Sequence, residues 1–68
     1  MAYLAVDKDG GEAIYNHKPF RGINKVKPVT EMWFLPKIGS HYIRLPKGSI
    51  KKLIGKDLTW DDEPVKYD

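Results

Sequence analysis

A chain of 68 residues with no cysteine must hold itself together by burying side chains, and it has few to bury. A domain of this size hides only about 60% of the surface its unfolded chain exposes, and its length leaves no room for a second core. The absence of thiols removes a disulfide framework and any thiolate metal site. We therefore expect a single domain over residues 1–68. With 41% hydrophobic and 31% charged residues the chain is too apolar to stay unfolded. A disulfide-stapled mini-protein, a zinc finger and a domain built around a large catalytic cleft are excluded. No stretch approaches the roughly 20 apolar residues of a membrane helix. The apolar opening from Met1 stops at Asp7, short of a signal-peptide core, and Ala2 and the lack of cysteine offer no lipidation motif. The expected setting is the cytoplasm, with no membrane partner.

The first elements read clearly. Tyr3-Leu4-Ala5-Val6 and Ala13-Ile14-Tyr15 are β-prone runs on either side of Asp7-Lys8-Asp9-Gly10-Gly11. That linker suits a type I turn with Gly10 in the left-handed region and a G1 bulge. The resulting register sets Val6 opposite Glu12, Leu4 opposite Ile14 and Tyr3 opposite Tyr15. One face then carries Leu4, Val6 and Ile14, and the other Tyr3, Ala5, Ala13 and Tyr15. The Asp-x-Asp-Gly string resembles the start of a calcium loop, but the later oxygen ligands and the closing glutamate are missing, which leaves turn chemistry.

From Asn16 to Thr30, Pro19, Gly22 and Pro28 interrupt any pattern. The stretch reads as a long basic partner-binding loop, with a plain connector or a hidden irregular strand as the alternatives. Its apolar members Ile23, Val26 and Val29 recur every third residue. Glu31–Leu35 and His41–Leu45 then read as a second hairpin around Pro36-Lys37-Ile38-Gly39-Ser40. Pairing Leu35 with His41 puts Trp33, Leu35, Ile43 and Leu45 on one face and Met32, Phe34, Tyr42 and Arg44 on the other. Past Pro46 the period changes. Ser49 is the expected N-cap of a two-turn helix with Ile50, Leu53 and Ile54 on one side, and Gly55 is its stop. Thr59-Trp60-Asp61-Asp62 reads as a capped turn, and Val65-Lys66-Tyr67 as a last edge strand after Pro64. The fold class is α+β: a small antiparallel β-sheet or a partly open SH3-like barrel of about four to five strands with one short helix.

Charge is segregated along the chain. Residues 1–17 carry Lys8 against Asp7, Asp9 and Glu12, a net −2. Residues 18–56 hold ten lysines and arginines against Glu31 alone, a net +9, and residues 57–68 hold Lys66 against five acids, a net −4. A basic middle can attract a polyanion or an acidic protein, or it can pair with the chain's own acidic end. Chemistry is sparse. His17 and His41 are the only histidines and match no zinc spacing. Ser40 and His41 are adjacent and would face opposite ways on a strand. Asp61, Asp62 and Glu63 are consecutive rather than opposed across a substrate. Gly55-Lys56-Asp57 lacks the rest of a phosphate loop. No catalytic residue, metal ligand or cofactor is expected, and the chain reads as a non-enzyme. The candidate partner-binding residues are the cations Arg21, Lys25, Lys27, Arg44, Lys47, Lys51 and Lys52, with Met32, Phe34 and Tyr42 as an apolar set of the kind found in interface cores.

The opening Tyr3-Leu4-Ala5-Val6-Asp7-Lys8-Asp9-Gly10 and the ending from Leu45-Pro46-Lys47-Gly48-Ser49 through Leu58-Thr59-Trp60-Asp61-Asp62-Glu63-Pro64-Val65 resemble short proteins of bacteriophages and prophages. The resemblance covers about half of the chain and carries no known site. It implies a phage-encoded protein in the host cytoplasm. Such a protein would bind and modulate or inhibit a host protein, including one of a defence system such as CRISPR. Combined with the basic middle, the expected partner is an acidic host protein. Nucleic-acid or nucleotide binding through residues 18–56 is the alternative, and a structural virion role the third. A homodimer formed through an edge strand or the Phe34 face would add burial to so small a core.

Overall fold

In the computed structural model, which describes residues 1–67, six strands and one helix follow one another along the chain. They are β1 (Ala2–Val6), β2 (Glu12–Tyr15), β3 (Phe20–Asn24), β4 (Thr30–Phe34), β5 (Tyr42–Leu45), α1 (Ser49–Ile54) and β6 (Val65–Tyr67). Two antiparallel sheets form, one of four strands in the order β5-β2-β1-β6 and one a two-stranded ribbon of β3 and β4. The α+β class stands. The strand count exceeds the expected four to five by one.

The β1–β2 hairpin has the register read from the sequence, from Tyr3 opposite Tyr15 to Val6 opposite Glu12. Gly10 takes φ 91° and its N–H donates to the Asp7 carbonyl. The Asp9 carboxylate accepts from the Gly11 N–H at 2.9 Å, so this string is a turn held by its own side chain. The Cys-free core sits on both faces of this hairpin. Leu4 and Val6 are buried against Ile50 of α1, with Ile14, Leu45, Ile54, Leu58 and Tyr67 around them. Ala5, Ala13 and Tyr15 on the reverse face are buried against Trp33 of β4, with Tyr3 and Trp60 beside them. The two alanines leave a recess for the indole, whose N–H donates to the Val6 carbonyl at 2.8 Å.

Two expectations are corrected. Residues 16–30 are not a loop throughout: the hidden-strand alternative holds, because they contain β3. On the side that carries Trp33 of its partner strand it has Arg21 and Ile23, both exposed, rather than buried apolar residues, and Pro19, Gly22 and Pro28 interrupt its pattern. The strands expected to form a second hairpin exist but do not pair with each other. β4 pairs with β3, Phe34 opposite Phe20, and β5 pairs with β2, Tyr42 opposite Tyr15. Gly22 is part of the reason. The Phe34 ring lies where a Cβ at that position would stand 2.8 Å from its atoms, and the ring stacks on Phe20 at 5.7 Å between centroids. Tyr42 stacks on Tyr15 at 5.4 Å. Pro36–Ser40 is therefore a crossing between layers. Asn16 holds it to the end of β2 by donating to the Gly39 carbonyl and accepting from the His41 N–H.

The helix start also differs from expectation. Ser49 is not the cap, since its hydroxyl donates to the Pro46 carbonyl. The N-cap position is Gly48, in the left-handed region at φ 91°, and no local side chain caps it. Glu12 of β2 does so from across the fold, accepting the Gly48 N–H at 2.6 Å and the Ile50 N–H at 2.8 Å. Gly55 ends the helix as expected, at φ 79° with its N–H on the Lys51 carbonyl. Leu53, expected on the core side, is exposed; Ile50 is the helix residue fully buried. The Asp62 carboxylate accepts the Thr59 N–H at 2.8 Å and the Thr59 hydroxyl accepts the Asp61 N–H at 3.3 Å, so the turn is held by its own side chains, but no helix follows it. β6 pairs with β1 at the sheet edge.

Because Glu12 satisfies two otherwise orphaned N–H groups in a partly buried site, Glu12→Ala should cost about 2 kcal/mol in urea unfolding. Ser49→Ala should cost less than about 0.5 kcal/mol, its hydroxyl being exposed. The reverse ranking would restore Ser49 as the cap.

Candidate functional site

The β3–β4 ribbon lies across the reverse face of the four-stranded sheet. Strand alternation gives it two faces. Arg21, Ile23, Glu31 and Trp33 share one, with Trp33 turned into the core. Phe20, Gly22, Asn24, Thr30, Met32 and Phe34 share the other. Two side chains besides Trp33 fasten the ribbon. Lys8 pairs with Glu31 at 3.0 Å. Arg21 lies over the rings of Trp33 and Trp60, at 4.7 and 5.2 Å from their centroids. Its guanidinium donates to the Glu63 carboxylate at 2.6 Å and to the Trp60 and Asp62 carbonyls at 2.6 and 2.8 Å. Trp60 meets Trp33 edge-on at 5.2 Å. The acidic end of the chain thus closes onto the basic middle at Arg21, with Lys51 near Asp57 as a second approach, and Arg21, singled out as a partner-binding cation, is engaged within the molecule.

Between the ribbon and the sheet runs an open groove of about 940 Å³. One wall is β4 with Leu35 just past its end. The other is formed by Tyr15, Tyr42 and Arg44, and the Asp7–Asp9 turn closes one end. Met32, Phe34, Tyr42 and Arg44 all border it. The sequence grouped these four as one face of one hairpin; the structure brings them to one groove from two different sheets. Tyr42 is half exposed, and Arg44 approaches Asp7 at 3.9 Å. Burial and the nearby Asp9 raise the Asp7 carboxyl above the usual range, with Arg44 opposing them. Burial, assisted by Asp7 and Tyr42 and opposed by Arg44, pushes the Tyr15 phenol up to about 12.

The remaining candidate cations are not gathered with these. Lys25 and Lys27 sit in the turn between β3 and β4 and make no ion pair among the described residues. Lys47, Lys51 and Lys52 precede or lie on α1, which packs on the opposite face of the sheet; Lys51 is 3.9 Å from Asp57. The basic middle therefore does not form one continuous surface. Sequence reasoning missed the contribution of Ile23, Val29 and Leu35 to the groove, although the three-residue spacing of Ile23, Val26 and Val29 was its trace. It also missed the contact between Ser40 and His17, 3.4 Å apart. Ser40 is buried and also accepts the Lys37 N–H, so this contact ties the crossing loop to the end of β2. Among the described residues no group of three or more His, Asp or Glu side chains converges as metal ligands would, and no helix is long and apolar enough to cross a membrane.

No protein-family model matches the chain, and no curated protein or solved structure is significantly similar to it.

Arg21→Lys keeps the charge but loses the planar fork that reaches three acceptors and stacks on two rings. It should cost about 1–2 kcal/mol, moderated by partial exposure, and shift tryptophan emission to the red as Trp60 becomes wetter. Unchanged emission would mean that Arg21 does not hold the 59–63 turn. Tyr15 gives a pH test. Its folded value lies above the ordinary 10, so the unfolded chain loses this proton first as pH rises. Its contribution is complete below pH 10 and should decline between 10 and about 12. Urea unfolding across that window should show a smaller alkaline loss for Tyr15→Phe than for the native chain.

Proposed function

We propose that this is a non-catalytic binding protein that engages an acidic partner protein through the β3–β4 ribbon and the groove beside it. One observation carries the reading: the ribbon and groove concentrate the apolar side chains that the core leaves outside. Phe20, Ile23, Val26, Val29 and Met32 are exposed along the ribbon and its turn, with Leu35 and Tyr42 beside them. A chain with so small a core gains nothing in stability from leaving these side chains in water, and a contiguous apolar patch with a polar rim is the usual form of a protein interface. Lys25 and Lys27 at the turn and Arg44 in the groove supply the cations that would steer an acidic partner. In the phage setting that the sequence resemblance implies, the partner is a host protein and the effect is to modulate or inhibit it. The cytoplasmic setting belongs to the same proposal. The separation of the α1 lysines from the ribbon lysines favours a protein partner over a nucleic-acid track, which needs continuous cations along a backbone.

The test is capture of partners from host lysate, with and without nuclease, by three tagged forms. The native chain should retain a protein in stoichiometric amount. Val29→Asp, an exposed change outside any strand, should weaken that retention by about tenfold or more. Lys47→Ala/Lys51→Ala/Lys52→Ala should leave it unchanged. Retention abolished by nuclease, or by the lysine changes and not by Val29→Asp, would move the function to nucleic-acid binding.

A further inference from the structure

The geometry points to a second interaction surface, the outer edge of β5, whose partner is a second copy of this chain paired with it about a two-fold axis at Ile43. The edge shares Tyr42 and Arg44 with the groove, and its pairing is tested on the protein alone, with no partner present.

β5 ends the four-stranded sheet, with no strand beyond it among the described residues. The Asn16 N–H donates to the His41 carbonyl at 3.1 Å, one step past the Tyr15–Tyr42 pair. Bonded and non-bonded pairs alternate in an antiparallel ladder. Ile43 and Leu45 therefore turn their backbone groups toward β2, and Tyr42 and Arg44 turn theirs outward. The side chains are open too. Ile43 is 68% exposed, an unusual place for a large aliphatic residue on a strand, and Tyr42 is half exposed.

A two-fold axis perpendicular to the sheet extends it and keeps each face on its own side. Residues facing each other across the axis must then share a face, which leaves three registers. Centring on Arg44 sets two guanidinium groups opposite each other and brings Pro46, which has no N–H, against Tyr42. Centring on Tyr42 requires Ser40 to join the edge, but Ser40 is buried and its N–H is committed to the Lys37 carbonyl. Centring on Ile43 has neither fault. Each Tyr42 then exchanges both backbone bonds with the other copy's Arg44. The aromatic ring and the guanidinium stand opposite as a cation–π pair, twice by symmetry. The two Ile43 side chains meet at the axis on the face that carries α1. The edge is self-complementary in charge, backbone polarity and apolar contact. The other end of the sheet lacks this property, because the middle residue of β6 is Lys66 and the same operation would oppose two ammonium groups. A second copy would also enlarge a core whose buried hydrophobic residues are seven, two of them alanine. The eight-stranded sheet so formed would bring the two Tyr42–Arg44 groove walls together on one face.

Sedimentation equilibrium of the native chain, with no partner present, should show a mass rising from one chain toward two with concentration. Ile43→Lys, an exposed change outside the groove, should remain folded by circular dichroism and sediment as one chain. The absence of native cysteine permits a register test. Under mild oxidation Ile43→Cys should form the disulfide dimer about tenfold or more faster than Ile38→Cys, a fully exposed site away from the edge, because paired thiols meet at a raised effective concentration. Arg44→Cys should oxidise no faster than Ile38→Cys, since it faces residue 42 of the other copy. A mass of one chain at every concentration overturns the inference. So does a dimer untouched by Ile43→Lys, or equal oxidation rates at positions 43 and 44.

Discussion

β1 and β2 are apolar on both faces, and the rest of the structure is arranged to cover them. Leu4, Val6 and Ile14 point one way, and Ala5, Ala13 and Tyr15 the other. A two-stranded hairpin of this kind cannot stand alone in water. One cover is α1 with Leu58, which suits a face of branched aliphatic side chains. The other is a single indole laid over two alanines. Small residues are needed there, because Trp33 must come close enough for its N–H to reach the Val6 carbonyl. That bond also removes the cost of burying the indole N–H unpaired.

Both covers are held by side chains that arrive from a distance in the sequence. Glu12 gives its carboxylate to the start of α1, which has no capping side chain of its own. Arg21 gives its guanidinium to the 59–63 turn, whose carbonyls point at it. Each interaction joins one layer to the next through charged hydrogen bonds, those of Glu12 in a partly buried site and those of Arg21 nearer the surface. A chain without disulfides thus gains long-range ties from two charged side chains.

The groove follows from a mismatch in width. A ribbon of two strands lies over a sheet of four, and it covers β1 and β2 but not β5. Tyr42 and Arg44 are left beside the wall of β4, and the exposed apolar residues of the ribbon continue from that wall to the Lys25–Val29 turn. The proposed partner surface and the proposed self-pairing edge both arise where the second layer stops short. They share Tyr42 and Arg44 and differ in the rest: the first adds side chains along β4 and the ribbon, the second the backbone of β5 and Ile43.

Much of the local structure was legible in the sequence. The first hairpin, its register, the Gly10 turn, the Gly55 stop and the final edge strand depend on propensities and on residues close in sequence, and these act the same way in any surroundings. The apolar character of both faces of β1–β2 was legible for the same reason. What the sequence left open was which distant strands meet. β4 and β5 are each β-prone and adjacent, and only the fit of Phe34 over Gly22 and of Tyr42 on Tyr15 sent them to different partners. β3 was hidden because no position on it is a buried apolar residue; the side chain it lays beside Trp33 is Arg21, which rests over two tryptophans and donates to a turn of carbonyls. Met32, Phe34, Tyr42 and Arg44 were recognised by residue type, but their meeting place was set by how the two layers stack. Residue type and spacing determined the elements; the choice among long-range pairings was decided in the tertiary structure, where packing shape and buried polar partners discriminate between strands that look alike in sequence.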